Sequence, residues 1–167
     1  DERPFDHNPR SAPRAWPCPD DLQEVIDLLL ASERPLLIGG HGVWWSGAER
    51  KLEQVGISLA IPVYNIPYHQ KLLPEASKAY MGLADVHQYG PAKAALEEAD
   101  VAIMIGGRLD NQMNFGNAPL FPPSCKLICV NGSAEETELN RAADKVLLSD
   151  PGAFLSALLD LKEKGRW

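Results

Sequence analysis

Two rhythms of apolar residues alternate along this chain. The first has helical spacing: Leu22, Val25, Ile26 and Leu29 recur at intervals of three and four, as do Leu52, Val55 and Leu59 further on. The second is the short unbroken run, clearest in Val101-Ala102-Ile103-Met104-Ile105. Five consecutive apolar residues ending at glycine predict a strand buried on both faces, as in a parallel sheet. Similar runs predict strands at 36–38, 61–65, 126–130 and 145–148, with a short one at 80–83.

Polar and breaking residues mark the helix ends. Asp20, with Gln23 three places on, predicts a capped helix that stops near Glu33, before Pro35. Ser46 and Glu49 have capping-box spacing and predict the start of a second helix. Pro91 suits the first turn of a helix running through Leu96 and Ala99. A short helix is expected over 135–139. Asp150 and Pro151 open a last helix whose Phe154, Leu155, Leu158 and Leu159 face inward, ended by Gly165. Residues 67–78 read as an irregular connection, and 111–124 as a long structureless one, a kind that is often functional. Residues 1–19 carry five prolines and no periodicity. They read as an extended linker from a preceding domain, with the folded domain over 20–167. Six strands alternating with helices imply an α/β fold: a doubly wound parallel sheet with helices on both faces.

That architecture says where to look for chemistry, because ligands of open α/β sheets sit beyond the carboxyl ends of the strands. Two glycine-rich stretches fall there. Gly106-Gly107-Arg108-Leu109-Asp110 follows the longest apolar run, and Arg108 would face an anionic group, most simply a phosphate. The alternative is a tight turn carrying an Arg–Asp surface pair. Gly39-Gly40-His41-Gly42 follows the first strand, where free backbone N–H groups and a helix dipole would receive a phosphate. The dinucleotide fingerprint G-x-G-x-x-G and a Walker lysine are both missing from it. His41 reaches an anion or is simply exposed. Trp44 and Trp45 flank a planar ligand or anchor core and interfaces. Asp110 has no histidine or second carboxylate paired with it by motif, so no catalytic residue is assigned.

Composition narrows the classes. Net charge is −7, with no basic stripe, which argues against nucleic acid. No apolar run approaches the roughly 20 residues of a membrane span. The three cysteines, Cys18, Cys125 and Cys129, are too few and odd for a disulfide framework and fit a reducing, cytoplasmic setting. Cys125 and Cys129 would lie about 13 Å apart along a strand, too far to grip one ion. No metal site is assigned.

The order of these motifs resembles the central domain of thiamine-diphosphate-dependent enzymes of the acetolactate synthase, oxalyl-CoA decarboxylase and 2-hydroxyacyl-CoA lyase type. Four stretches carry the resemblance, over about 20–162. The first is Arg34 to Val43, with the first glycine loop. The second is Gly56 through Ile61-Pro62-Val63, then Leu73-Pro74-Glu75 and Met81-Gly82. The third is Glu97-Glu98-Ala99-Asp100-Val101 leading to Gly106-Gly107-Arg108-Leu109-Asp110. The fourth is Leu127 to Asn131, then Ala134-Glu135-Glu136 and Leu147-Leu148-Ser149-Asp150.

The resemblance implies a six-stranded Rossmann-like fold of the FAD/NAD-binding-domain type. It implies a parent chain that also has a pyrimidine-binding and a diphosphate-binding domain, which would hold thiamine diphosphate and Mg2+. That parent would make or break C–C bonds next to a carbonyl, by 2-oxo acid decarboxylation or carboligation, as a homodimer or homotetramer. The piece in hand would not be catalytic alone. By position, Gly39, Gly40, His41 and Gly42 would lie by the diphosphate of an FAD or ADP. Gly106, Gly107, Arg108 and Asp110 would face it across the crevice. Asn131 and Ser133 stand where the family often has two aspartates that meet adenosine, and Asn131 is the weaker acceptor and Ser133 the shorter. Two readings stay open: a nucleotide-binding domain, and a scaffold with an empty crevice. A free-standing NAD enzyme of the sirtuin-like fold is disfavoured, since the paired Cys-x-x-Cys module is missing.

Overall fold

The computed structural model describes residues 13–67, 71–137 and 139–163. In chain order the elements are α1 (Pro19–Ala31), β1 (Pro35–Gly39), α2 (His41–Trp45), α3 (Glu49–Leu59), β2 (Val63–Asn65), β3 (Tyr80–Leu83), α4 (Gly90–Glu97), β4 (Val101–Ile105), β5 (Lys126–Asn131), β6 (Lys145–Leu148) and α5 (Pro151–Glu163). The strands form one sheet in the order β3-β2-β1-β4-β5-β6. Every pairing is parallel, with Leu37 opposite Ile103 and Ile103 opposite Ile128 at the centre. This is the doubly wound arrangement the alternation predicts, and the strand order reverses between β1 and β4.

The strand period of two sorts the core into two layers. Leu37, Ile103, Ile105, Ile128 and Val130 pack against α1, α3 and α5 through Val25, Leu29, Leu52, Val55, Phe154 and Leu155. Leu36, Ile38, Ala102, Met104, Leu127 and Cys129 point to the other face. There the cover is α4, through Leu96, together with Met113, Leu120 and Phe121 of the β4–β5 connection. The stretch 111–124 is therefore a packed layer, not the structureless loop its composition suggested. Its 3-10 segment, Asn111–Gly116, is distorted, with Asn114 and Phe115 at φ 49° and 54°. Tyr64 crosses the same layer to donate its hydroxyl to the Ala92 carbonyl (2.7 Å), and burial pushes its pKa up to about 12.

Several local expectations are corrected. Pro19 occupies the first turn of α1, so Asp20 lies inside the helix and Cys18 precedes it without a side-chain cap. Gln23 donates instead to Asp27 (2.9 Å), and α1 ends at Ala31, two residues before Glu33. Ser46 does not cap α3, which begins after Ala48. Its hydroxyl donates to the Asp150 carboxylate (2.6 Å), 104 residues away. The helix expected at 135–139 is a single 3-10 turn, Ala134–Glu136. Asp150 does cap α5, accepting from the Ala153 amide at 2.9 Å. The stop at Gly165 lies outside the described residues. Of the stretch 1–19, residues 1–12 also lie outside them. The Ala15 carbonyl is pinned to the start of α5 by the Asp150 amide (2.9 Å) and the Ser149 hydroxyl (3.1 Å).

Candidate functional site

The strand reversal opens a crevice of about 430 Å3, lined by His41, Gly42, Trp45, Ile66, Gly106, Gly107, Arg108, Asp110, Asn131 and Glu136. Seven of the ten residues singled out in the sequence line it. Gly39, Gly40 and Ser133 do not. Gly39 ends β1 inside the core, where a Cβ would meet Leu72 and Leu52 side-chain carbons at 2.6 and 2.7 Å. Ser133 is exposed beyond β5. Trp45, Ile66 and Glu136 line the crevice without having been assigned to it.

The glycines have a reason that involves no ligand. A Cβ on Gly40 would lie 2.5 Å from the Gly106 carbonyl oxygen and 2.5 Å from the Gly107 Cα. Gly106 sits at φ 65°, its own Cβ position 2.7 Å from the Gly42 Cα. Backbone crosses backbone here, and only hydrogen fits between. The amides are used in the crossing: Gly40 donates to Ile105 (2.8 Å), Gly42 to Gly106 (2.7 Å) and Gly106 to Val130 (2.8 Å). Hydrogen bonds within the protein already claim these three donors of the expected cradle. α2 is only five residues long, which limits any dipole it could offer.

The polar side chains are engaged as well. Asn131 donates to the Gly107 carbonyl (3.3 Å) and accepts from the Ser133 amide (3.2 Å). Asp110 accepts from the Gln112 amide (3.0 Å) and so starts the 3-10 segment. Arg108 and Glu136 form an ion pair at 3.6 Å. The lining therefore holds one arginine against two carboxylates, a poor match for the two negative charges of a diphosphate. Glu136, quoted in the sequence only within Ala134-Glu135-Glu136 and given no role, reaches the crevice through the turn after β5. His41 begins α2 at the rim. Trp45 is 77% exposed and meets Trp44 edge to face, centroids 4.7 Å apart, so neither tryptophan is a core anchor.

Burial pushes the Cys125 and Cys129 thiols up to about 11, keeping them protonated and inert. Among the described residues no group of three or more His, Cys, Asp or Glu could hold a metal ion. Nor is any described helix long and apolar enough to cross a membrane.

A doubly wound parallel domain with a crevice at its strand reversal is of the nucleotide-binding class of folds. Comparison with known proteins is more specific. Residues 22–158 match the family model "Thiamine pyrophosphate enzyme, central domain". The chain belongs to that family. Its relatives include an acetolactate synthase from Mycobacterium avium, 27% identical over 155 residues, covering 93% of this chain and 25% of the relative. A 2-hydroxyacyl-CoA lyase from Arabidopsis thaliana is 32% identical over 124 residues, covering 72% of this chain and 20% of the relative. The chain thus spans about a quarter or less of these two relatives' length. Among solved structures, benzoylformate decarboxylase from Polynucleobacter necessarius superposes with a TM-score of 0.75 at 25% identity, covering 91% of this chain and 29% of that one.

Proposed function

We propose that this domain is the scaffold of a thiamine-diphosphate-dependent enzyme that makes or breaks C–C bonds next to a carbonyl, and that its crevice takes neither FAD nor ADP. Thiamine diphosphate, which supplies a carbanion-stabilising ylid when bound, and its Mg2+ would be held by pyrimidine- and diphosphate-binding domains of the same chain. Residues 1–19 would lead in from the first of these, 20–167 would form the domain, and the whole would assemble as a dimer or tetramer in the cytoplasm.

One observation supports the scaffold reading: the amides of Gly40, Gly42 and Gly106 and the side chain of Asn131 already donate to the protein's own carbonyls, and the crevice arginine is answered by Glu136. One arginine against two carboxylates is a poor fit to a nucleotide's diphosphate.

A thermal-shift titration with FAD, ADP, NAD and CoA in parallel tests this. A ligand at 100 times its dissociation constant adds about 2.7 kcal/mol and raises the midpoint visibly. No shift with any of the four is expected. A shift with FAD or ADP overturns the scaffold reading while leaving the parent activity to be assayed on the full-length chain with thiamine diphosphate and Mg2+.

A further inference from the structure

A second cavity, of about 500 Å3, adjoins the crevice and shares Gly42, Trp45 and Asn131 with it. Its lining also includes Pro13, Arg14 and Ala15 of the lead-in. Trp45 therefore stands between the crevice and the place where the chain enters the domain.

Trp45 is presented to solvent. In α2 Val43 is buried, while Trp45 is 77% exposed with the Trp44 ring set against it edge to face. In the lead-in Trp16 is 62% exposed, although Pro17 beside it is buried. Indoles left in water forgo a large burial gain, and exposed aromatic side chains of this kind are enriched where another protein surface docks.

The helix and the lead-in are fastened to one residue. The Asp150 carboxylate accepts from the hydroxyl of Ser46, the residue that ends α2 (2.6 Å), and pairs with Arg14 (3.6 Å). The Asp150 amide donates to the Ala15 carbonyl (2.9 Å), which also accepts from the buried Ser149 hydroxyl (3.1 Å). The first turns of α5 are seated in the core through Phe154 and Leu155. Trp45 and the incoming chain are thus held in one frame, and whatever precedes the lead-in is delivered to the face that carries Trp45.

Resting on the reading above, in which residues 1–19 lead in from another domain, we propose that Trp16 and Trp45 beside the crevice form the seat of that preceding domain of the same chain. The relatives support an occupant within the chain, since this one spans about a quarter or less of their length. The surface that fits is apolar, to cover two indoles, with a cation to meet the excess of Asp110 and Glu136 over Arg108. A second copy of this domain would leave the pinning of the lead-in beside Trp45 unexplained.

Hydroxyl-radical footprinting read by mass spectrometry tests this by comparing the 167-residue chain with the full-length parent chain. Oxidation at Trp45 and Trp16 should be about fivefold slower in the full-length chain, as an exposed indole becomes a buried one. Trp45→Ser in the full-length chain should restore fast oxidation at Trp16. Equal rates at Trp45 in the two chains would overturn the proposal. So would protection in the 167-residue chain that grows with its concentration, which assigns the face to a second copy. An assay of the same full-length sample with thiamine diphosphate and Mg2+ keeps the two readings apart. Activity without protection removes this inference alone, and protection without activity removes the parent chemistry alone.

Discussion

The two edges of the sheet solve opposite problems. A parallel sheet presents unpaired N–H groups where its strands begin and unpaired carbonyls where they end. At the amino edge the answer is carboxylate. Asp100, just before β4, accepts from the Ser32 hydroxyl and from the amides of Glu33 (2.7 Å) and Arg34 (3.0 Å). Asp144, just before β6, accepts from the Leu127 amide (2.9 Å) and the Lys126 ammonium (2.8 Å). At the carboxyl edge the answer is a donor or no side chain at all. Asn131 and Asn140 donate through their side chains to carbonyls there, and the glycines let backbone amides reach others. An edge that meets its carbonyls with its own amides has fewer donors left for a phosphate.

The comparison can be broken most forcefully at the glycine crossing. Gly40→Ala drives a methyl into the Gly106 carbonyl, and Gly106→Ala adds an unfavourable φ to a clash with Gly42. Each should cost about 3 kcal/mol or more, or prevent folding, because backbone on both sides has nowhere to go. Urea unfolding measures it; a loss under 1 kcal/mol would mean the crossing is looser than drawn.

Arg141→Ala comes next. It strands the carbonyls of Gly116, Pro122 and Cys125, which a charged donor had satisfied, and should cost about 2–3 kcal/mol in the same unfolding experiment. A neutral result would leave these bonds without energetic weight.

The amino edge should show itself through acid. Burial pushes the Asp100 carboxyl up, but the bonds it accepts from Ser32, Glu33 and Arg34 outweigh this and hold its pKa below the usual range. Burial also pushes Asp144 up, and Lys126 and the Leu127 amide hold it down. A carboxyl whose folded pKa lies below its unfolded one stabilises the fold fully above the unfolded value, near 4. That stability is lost as pH falls through the folded value. The melting temperature should therefore drop between pH 5 and pH 2.5 by more in the parent chain than in Asp100→Asn/Asp144→Asn. Parallel curves would remove the two aspartates from the account.

The smallest effect is expected at Glu136→Gln. The Arg108 pair is 58% and 38% exposed, and such pairs contribute about 0–1 kcal/mol. Stability should stay within about 0.5 kcal/mol. The sharper readout is binding. If Glu136 is all that keeps anions out, pyrophosphate will bind the variant and not the parent chain; if the engaged amides matter more, neither will bind.

What could be read in the chain beforehand follows the range of each interaction. The run 101–105 stated its place openly, because a five-residue strand buried on both faces leaves its mark in adjacent residues. Asp150 and Pro151 announced α5 for the same reason. The Ser46–Glu49 spacing misled, since the local pattern fitted a cap while the hydroxyl was claimed by Asp150 from across the fold. The stretch 111–124 looked empty because its prolines and asparagines hide three buried hydrophobic residues, Met113, Leu120 and Phe121. Asn140 and Arg141 gave no signal, for their partners are carbonyls, which every residue has.

The sequence by itself determined the doubly wound sheet, its six strands and the two glycine stretches beyond strand ends, because periodicity and glycine content are properties of neighbouring residues. Only the tertiary structure decided what those glycines face, which amides are already claimed, and that Glu136 stands in the crevice. Hydrogen-bond partners are assigned in space, and a donor that looks free along the chain may meet its carbonyl a hundred residues away.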